Sequence, residues 1–251
     1  MPRGPRLDIP GALHHVMVRG IDRQRIFLSD ADRSDLLSRL REGVLRSGLR
    51  VYAWALMSNH FHVLLRSGSQ GLSTTMRRLL TGYAVRFNRR HRRWGHLFQN
   101  RYKSILVDED SYLLELVRCI HLNPLRVGAV NGLEDLDQYA WTGHSTLVGV
   151  MNCEWQDVDF VLGQFGQTAG KARARYREFV ASGVEQGRRK DLQGGGLVRS
   201  MGGWDKVSAL RRGRERWAYD ERVLGSSDFI EGIWNEAERL KSLSGARGPL
   251  M

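Results

Sequence analysis

The chain has no acidic residue between Ser67 and Val107, a stretch that contains nine arginines and lysines. It also has only two cysteines, Cys119 and Cys153. Two cysteines without metal-finger spacing exclude a disulfide framework and a zinc finger, and they are typical of a reducing compartment. The sequence has no apolar run of about 18 residues and no apolar N-terminal signal core. We therefore predict neither a membrane span nor secretion.

Basic residues outnumber acidic residues by 39 to 27, which gives a formal net charge of +12. A hydrophobic fraction of 41% over 251 residues is adequate for one folded domain with a smaller appendage. The excess of positive charge favours a polyanionic partner such as nucleic acid. The position of the cations along the chain is more informative than their number.

Two histidines separated by one bulky apolar residue lie in the strand-like run from Val51 to Arg66. Side chains on a strand alternate between faces, so His60 and His62 point to one face and Phe61 to the other. This arrangement offers two imidazoles to one metal ion. Two ordinary histidines on a half-exposed strand would have the same spacing.

Hydrophobic periodicity divides the first part of the chain into strands and helices. Strands are predicted at 13–19, 51–56, 61–66 and 97–107, and helices at about 30–48, 72–90 and 110–122. This order is typical of the split βαβ or ferredoxin-like pattern. We therefore predict an α+β fold in which helices cover one face of an antiparallel sheet. Residues 1–149 would form this domain, and residues 150–251 a smaller, basic and mainly helical region.

The acid-free stretch interleaves its cations with aromatic residues, as a surface that contacts phosphates and stacks bases would. Arginines on or just after the second predicted helix have no acidic residue at i,i+4, so we predict that they contact DNA phosphates. The predicted DNA-binding residues are Arg77, Arg78, Arg86, Arg89, Arg90, Arg92, Arg93, Arg101 and Lys103. Trp94, within this stretch, could stack a base or anchor its loop.

Three motifs resemble those of the single-tyrosine HUH transposases. They are the strand at residues 60–62, the FQNRYKS segment at Phe98–Ser104 and the helix end CIHLNPLRVG at Cys119–Gly128. In this order, with a basic helix between them, they are specific, and they are most similar to the REP-associated tyrosine transposases, also called REP-element-mobilising transposases. The resemblance covers about Leu13 to Gly149.

The resemblance implies a ferredoxin-like nuclease core in which His60, His62 and a polar residue on the last helix hold Mg²⁺ or Mn²⁺. The polar residue that matches the motif is Asn123, which could also serve only as the helix end before a proline. Imidazole is softer than the oxygen ligands that magnesium prefers, so we expect weak binding and tolerance of Mn²⁺.

The resemblance also implies a partner, which is single-stranded DNA folded into short hairpins. We accordingly expect a bacterial, cytoplasmic and nucleoid-associated protein without membrane contact, as a monomer or a homodimer. In this family a tyrosine attacks the DNA phosphate with help from the metal ion and forms a 5′-phosphotyrosine link.

The chain departs from the family at the nucleophile, because the tyrosine position, four residues before Asn123, is Cys119. A thiolate is a weak substitute, and a buried cysteine is usually an inert small hydrophobe. Tyr112 lies on the same predicted helix, but about 10 Å back along its axis. Tyr102, on the basic strand, is a weaker candidate.

Three hypotheses about function remain open at the level of sequence. The chain could be a DNA-transposition enzyme that binds a hairpin and then cuts and rejoins single-stranded DNA through metal-assisted nucleophilic attack. It could be a catalytically impaired DNA-binding or repressor module, and Cys119 distinguishes this hypothesis from the first. It could also be a phosphodiesterase that uses water in place of tyrosine, with His121 as the nearest candidate base.

Overall fold

A five-stranded sheet lies at the centre of the computed structural model, which describes residues 7–187, 189, 192, 220 and 222–245. The strands are β1 (Leu13–Arg19), β2 (Arg50–Met57), β3 (His60–Arg66), β4 (Lys103–Val107) and β5 (Val223–Leu224). Their order across the sheet is β2-β3-β1-β4-β5, and every pair is antiparallel except β4 and β5. The predicted antiparallel sheet is confirmed.

Helices account for most of the remaining described residues. They are α1 (Asp30–Ser47), α2 (Leu72–Arg90), α3 (Glu109–His121), α4 (Asn123–Arg126), α5 (Leu133–Gln138), α6 (His144–Leu147), α7 (Val158–Gly163), α8 (Ala169–Ala181) and α9 (Ser227–Gly245). The first three agree with the predicted helices to within one residue at each end, and the predicted α+β class is confirmed. Within the described ranges, no helix combines the length and the apolar character needed to cross a bilayer.

Helices cover both faces of the sheet, whereas the sequence predicts one covered face. On one face, Leu36 of α1 and Met76 of α2 pack in a core with Phe61 of β3. On the other, Val117 of α3 shares a core with Leu64 of β3. The prediction is right for α1 and α2 and wrong for α3. Because β2 and β3 are buried over almost their whole length, both of their faces need apolar cover.

The segment after residue 149 shares the core of the sheet. Val161 of α7 and Tyr176 of α8 lie in the same buried cluster as α3. The buried side chain of Gln156 accepts a hydrogen bond from Trp54 Nε1 over 3.0 Å. The segment is mainly helical, as predicted, and in the described residues it packs on the same core as α3. Much of the chain after residue 187 lies outside those residues.

The free energy of unfolding is expected to fall as the pH drops from 6.5 to 4. His14 is fully buried on β1, with Nδ1 3.0 Å from Ser104 Oγ. Burial lowers the pKa of His14 from 6.5 to about 4, against a smaller opposing effect of the Asp8 carboxylate. In this window the unfolded chain binds a proton that the folded chain does not, which removes about 3 kcal/mol of stability.

Urea unfolding at pH 7 and pH 4.5 would measure this loss. His14→Gln retains a hydrogen-bonding side chain that does not titrate, so the variant should lose less stability on acidification than the wild type. An equal loss in both proteins would contradict the prediction.

Candidate metal and nucleic-acid site

His60 and His62 lie side by side on the sheet face that α3 covers, which we call the histidine face. Their ring centroids are 5.3 Å apart, with the rings nearly perpendicular. Leu64, the next residue of the same strand parity, lies in the core beneath α3. His60 is half-buried, whereas His62 is only 5% exposed. The structure thus brings together the two imidazoles that the sequence singles out.

Asn59 fixes the orientation of His60. The Asn59 Nδ2 group donates to the carbonyl oxygen of Arg23 over 3.0 Å, so its Oδ1 faces His60 Nδ1 at 2.6 Å. Since a carbonyl oxygen only accepts, His60 Nδ1 carries a proton, and in the neutral ring the lone pair is then on Nε2. Metal-binding histidines commonly have this kind of outer hydrogen bond, which fixes the tautomer and the ring orientation.

His15 orients the ring of His62, as Asn59 orients that of His60. Its Nε2 lies 3.0 Å from His62 Nδ1, and the two ring centroids are 5.2 Å apart. Burial, with smaller effects of His15, His60 and Arg19, lowers the pKa of His62 well below its usual value. His62 is therefore neutral at pH 7, which is the form that can bind a metal ion. The sequence indicates only that His15 and His14 face opposite sides.

Two cations share the histidine face. Arg19 is directly opposite His60 in the β1–β3 pair, and Met17 is opposite both His62 and Lys103. Residues of the same parity point to the same side, so Arg19 and Lys103 lie on the side of the histidines. Lys103 is a predicted DNA-binding residue, but sequence reasoning missed Arg19, because the strand register is needed to recognise it.

Cys119 lies on α3 in the core of the histidine face and is 4% exposed. Arg126 Nη1 is 3.3 Å from its Sγ atom. Asn123 Nδ2 donates to the carbonyl oxygens of Cys119 and Ile120, over 3.0 Å and 3.3 Å. Asn123 thus satisfies carbonyl groups at the end of α3 through its amide nitrogen. Its amide oxygen is the atom that a metal ion would require.

The two candidate substitute nucleophiles, Tyr112 and Tyr102, and the candidate base, His121, lie in three different surroundings. Tyr112 is half-buried against the core of the histidine face. Tyr102 belongs to the core under α1 and α2, with its hydroxyl 3.2 Å from Ser73 Oγ, so it lies across the sheet from the histidines. His121 is fully buried and 2.8 Å from the hydroxyl of Tyr176. It has no access to an attacking water, so the third hypothesis loses its candidate base.

Two arginines of α2 have acidic partners on α1, which corrects the argument that the basic block lacks counter-charges. Arg90 forms an ion pair with the buried Asp32, and Arg86 Nε is 3.7 Å from Asp35. Burial raises the pKa of Asp32, but hydrogen bonds from His91 and other groups outweigh it and lower the pKa overall. Helix packing supplies these partners from a distant part of the sequence, so i,i+4 spacing could not reveal them.

Other members of the predicted set remain exposed. In the part of the chain that the structure describes, no ion pair involves the exposed residues Arg77, Arg78, Arg89, Arg92 and Arg101. Arg93 is half-buried and donates from Nη2 to Gln24 Oε1 over 3.0 Å. The exposed arginines keep the capacity to bind phosphate.

The fold is that of a transposase. One solved structure of similar fold is described as a REP-associated tyrosine transposase bound to a REP hairpin, with 15% sequence identity and a TM-score of 0.50. The match covers 62% of this chain and 98% of the other. A putative transposase from Deinococcus radiodurans R1 is 20% identical over 46% of this chain and 93% of its own, with a TM-score of 0.33.

Residues 10–121 match the family described as "Transposase IS200 like". The matched segment contains the histidine pair and Cys119 and ends two residues before Asn123. No curated protein matches the chain.

Proposed function

We propose that this chain binds single-stranded DNA folded into short hairpins and holds Mg²⁺ or Mn²⁺ at His60 and His62, without forming a phosphotyrosine bond. The observation that carries the proposal is the histidine face, where two oriented imidazoles share one side of the sheet with Arg19 and Lys103, in a segment that matches a transposase family. A REP hairpin bound to a protein of the same fold supports the choice of DNA.

The donor set suits a weakly held divalent ion. The described residues contain no group of three His, Cys, Asp or Glu side chains placed to hold a metal ion. Two imidazole nitrogens and the amide oxygen of Asn123 would leave several positions for water and phosphate oxygens, as Mg²⁺ and Mn²⁺ require. When bound, such an ion would polarise a DNA phosphate.

The residues around this pair would bind and orient DNA. Arg19 and Lys103 provide positive charge on the histidine face, where a phosphate group would lie. Cys119 offers a buried thiol at the position of the family's tyrosine. A DNA-binding or repressor module is therefore the function that this geometry supports best, and a cleaving transposase would require another nucleophile.

The test is incubation of the full chain with labelled single-stranded hairpin DNA and Mn²⁺, analysed on native and denaturing gels. We expect a shifted band on the native gel and no covalent adduct on the denaturing gel. Absence of hairpin binding at low salt would overturn the proposal. A covalent adduct abolished by Tyr112→Phe would instead identify Tyr112 as the nucleophile.

Replacing exposed arginines is expected to lower the affinity for DNA and to make that affinity less dependent on salt concentration. In Arg89→Ala/Arg92→Ala, two cations without acidic partners are lost, so the log–log slope of affinity against salt should fall by about 1.4, at about 0.7 per phosphate contact. Lys171→Ala/Arg175→Ala, with the same charge change on exposed positions of α8, is the matched control. Equal slopes for the two variants, measured by fluorescence anisotropy, would show that the α2 arginines only solubilise the protein.

His15→Ala is expected to weaken Mn²⁺ binding about 10-fold or more, because the imidazole of His62 loses the group that orients it. Titration followed by electron paramagnetic resonance of free Mn²⁺ would measure the change. His14→Gln is the control, since the imidazole of His14 contacts Ser104 on the other face of the sheet. Unchanged Mn²⁺ affinity in His15→Ala would rule out the orienting role.

A further inference from the structure

Trp94 is 87% exposed, the highest value among the exposed large apolar side chains of the described residues. The loop that carries it, residues 91–96, is held by other groups. Asn88 Nδ2 donates to the carbonyl oxygen of Gly95 over 2.9 Å, and the Arg93 amide donates to the carbonyl oxygen of Asn88 over 2.8 Å. Trp94 does not anchor the loop, so its indole is presented to solvent on a fixed backbone.

The backbone of this loop adopts an unusual conformation. Arg92 has a φ of 50° and Gly95 a φ of 86°, and the first value is uncommon for a residue with a side chain. These two residues flank the segment that turns Trp94 outward. A strained backbone that exposes a large aromatic side chain is a feature that function can explain and core packing cannot.

Hydrogen bonds connect the loop to the end of the sheet where His60 lies. Arg93 Nη2 donates to Gln24 Oε1 over 3.0 Å, and the carbonyl oxygen of the adjacent Arg23 accepts from Asn59 Nδ2 over 3.0 Å. Asn59 in turn contacts His60. Trp94 is therefore held near the end of the sheet that carries the histidine pair.

The charges around Trp94 favour nucleic acid over an apolar protein surface. Arg89 and Arg92, which precede Trp94 by no more than five residues, are both exposed. The turn at residues 21–25 adds two exposed cations, Arg23 and Arg25, and one exposed acid, Asp22. The segment from 67 to 107 contains no acidic residue. An exposed indole among arginines is the combination that binds single strands, by stacking on bases and contacting phosphates.

We propose that Trp94 stacks on an unpaired base of the bound DNA, with Arg92 on a neighbouring phosphate, and thereby positions the strand relative to the histidine pair. This inference rests on the proposed hairpin binding and adds to it a specific contact for unpaired nucleotides. Base stacking is sequence-tolerant, so the contact distinguishes single-stranded from paired DNA rather than one sequence from another.

The experiment compares wild type, Trp94→Ala, Trp94→Phe and the control Trp234→Ala, whose indole is 37% exposed on α9. The probes are a hairpin with single-stranded flanks and a blunt duplex of the same stem. Loss of one stack should weaken binding of the flanked hairpin by roughly 5- to 150-fold. Trp94→Phe should restore most of the affinity, and the blunt duplex should bind equally to all four proteins.

A second readout uses 2-aminopurine placed at successive flank positions. Wild type should quench its fluorescence at one or two positions, and Trp94→Ala should not. Equal hairpin affinity and equal quenching in wild type and Trp94→Ala would overturn the inference while leaving the proposed function intact. A wild type that binds neither probe would overturn the proposed function itself. A loss of self-association in Trp94→Ala by sedimentation velocity, with DNA binding unchanged, would also overturn the inference, in favour of a protein contact.

Discussion

Cys119→Tyr is expected to turn a chain that forms no covalent DNA adduct into one that does. Position 119 lies on α3, on the face of the sheet that carries His60 and His62, and four residues before Asn123. Residues at positions i and i+4 of helical backbone are neighbours on one face, so the side chains of residues 119 and 123 lie close together at the end of α3. A phenol there would supply the tyrosine nucleophile that the resemblance to the single-tyrosine HUH transposases implies at this position.

The substitution also has a cost, because Cys119 is packed in the core and Arg126 lies against its sulfur. A larger side chain in a packed site typically costs about 1 to 3 kcal/mol. Cys119→Phe is therefore the matched control: it imposes the same steric change without the hydroxyl group. If Cys119→Tyr and Cys119→Phe are equally stable, a difference in adduct formation reports on the hydroxyl alone.

The readout is a denaturing gel with labelled hairpin DNA and Mn²⁺. We expect an adduct with Cys119→Tyr and none with wild type, with Cys119→Phe, or with Cys119→Tyr combined with His60→Ala. A wild-type adduct that disappears in Cys119→Ala would show that the thiol itself attacks. Absence of an adduct in a folded, DNA-binding Cys119→Tyr protein would show that more of the site than the nucleophile has changed.

Tyr176→Phe is expected to lower the free energy of unfolding by about 3 kcal/mol. The hydroxyl of Tyr176 lies 2.8 Å from Nδ1 of His121 and 2.8 Å from Nδ1 of His144, and all three side chains are buried. His144 Nε2 is 2.7 Å from the carboxylate of Asp137. These contacts join α3, α6 and α8, which lie far apart in the sequence.

The Tyr176 hydroxyl lies between two histidines in a hydrogen-bonded series that ends at Asp137. Asp137 accepts from His144 Nε2, and the single proton of the Tyr176 hydroxyl goes to one of the two histidines while its oxygen accepts from the other. Burial, with a smaller effect of His144, lowers the pKa of His121 well below its usual value, consistent with a neutral ring. Removing the hydroxyl leaves one donor and one acceptor buried without a partner, at about 1 to 3 kcal/mol each.

Urea unfolding at pH 7 would measure this loss. Tyr139→Phe is the control, because the half-buried Tyr139 hydroxyl makes one long contact of 3.4 Å with the carbonyl oxygen of Leu56. We expect less than about 1 kcal/mol for that variant. A Tyr176→Phe protein as stable as Tyr139→Phe would mean that the buried network adapts without the hydroxyl.

Several features of the site are local enough to be read from the sequence. The parity of a strand places His60 and His62 on one face whatever packs around them, and the structure has them there. Helical periodicity gives α1, α2 and α3 to within a residue, because each pattern depends on side chains only a few positions apart. The cysteine at position 119 is likewise a fact of sequence.

The sequence could not give the neighbours that these elements acquire. Asp32 and Asp35 neutralise two arginines of α2 only because α1 packs beside it. His15 reaches His62, and Arg19 lies beside His60, only through the register of β1 against β3. These contacts join residues tens of positions apart, and long-range packing rather than local propensity decides them.

The sequence by itself determined the order of strands and helices, the shared face of the two histidines and the absence of a tyrosine at position 119. The tertiary structure alone decided that α3 covers the second face of the sheet and that Trp94 stays exposed. It also decided that the Tyr176 hydroxyl of α8 contacts His121, the last residue of α3. The physical reason is that backbone geometry fixes the direction of neighbouring side chains along the chain. Which surfaces become buried depends on how the apolar faces of distant segments pack together.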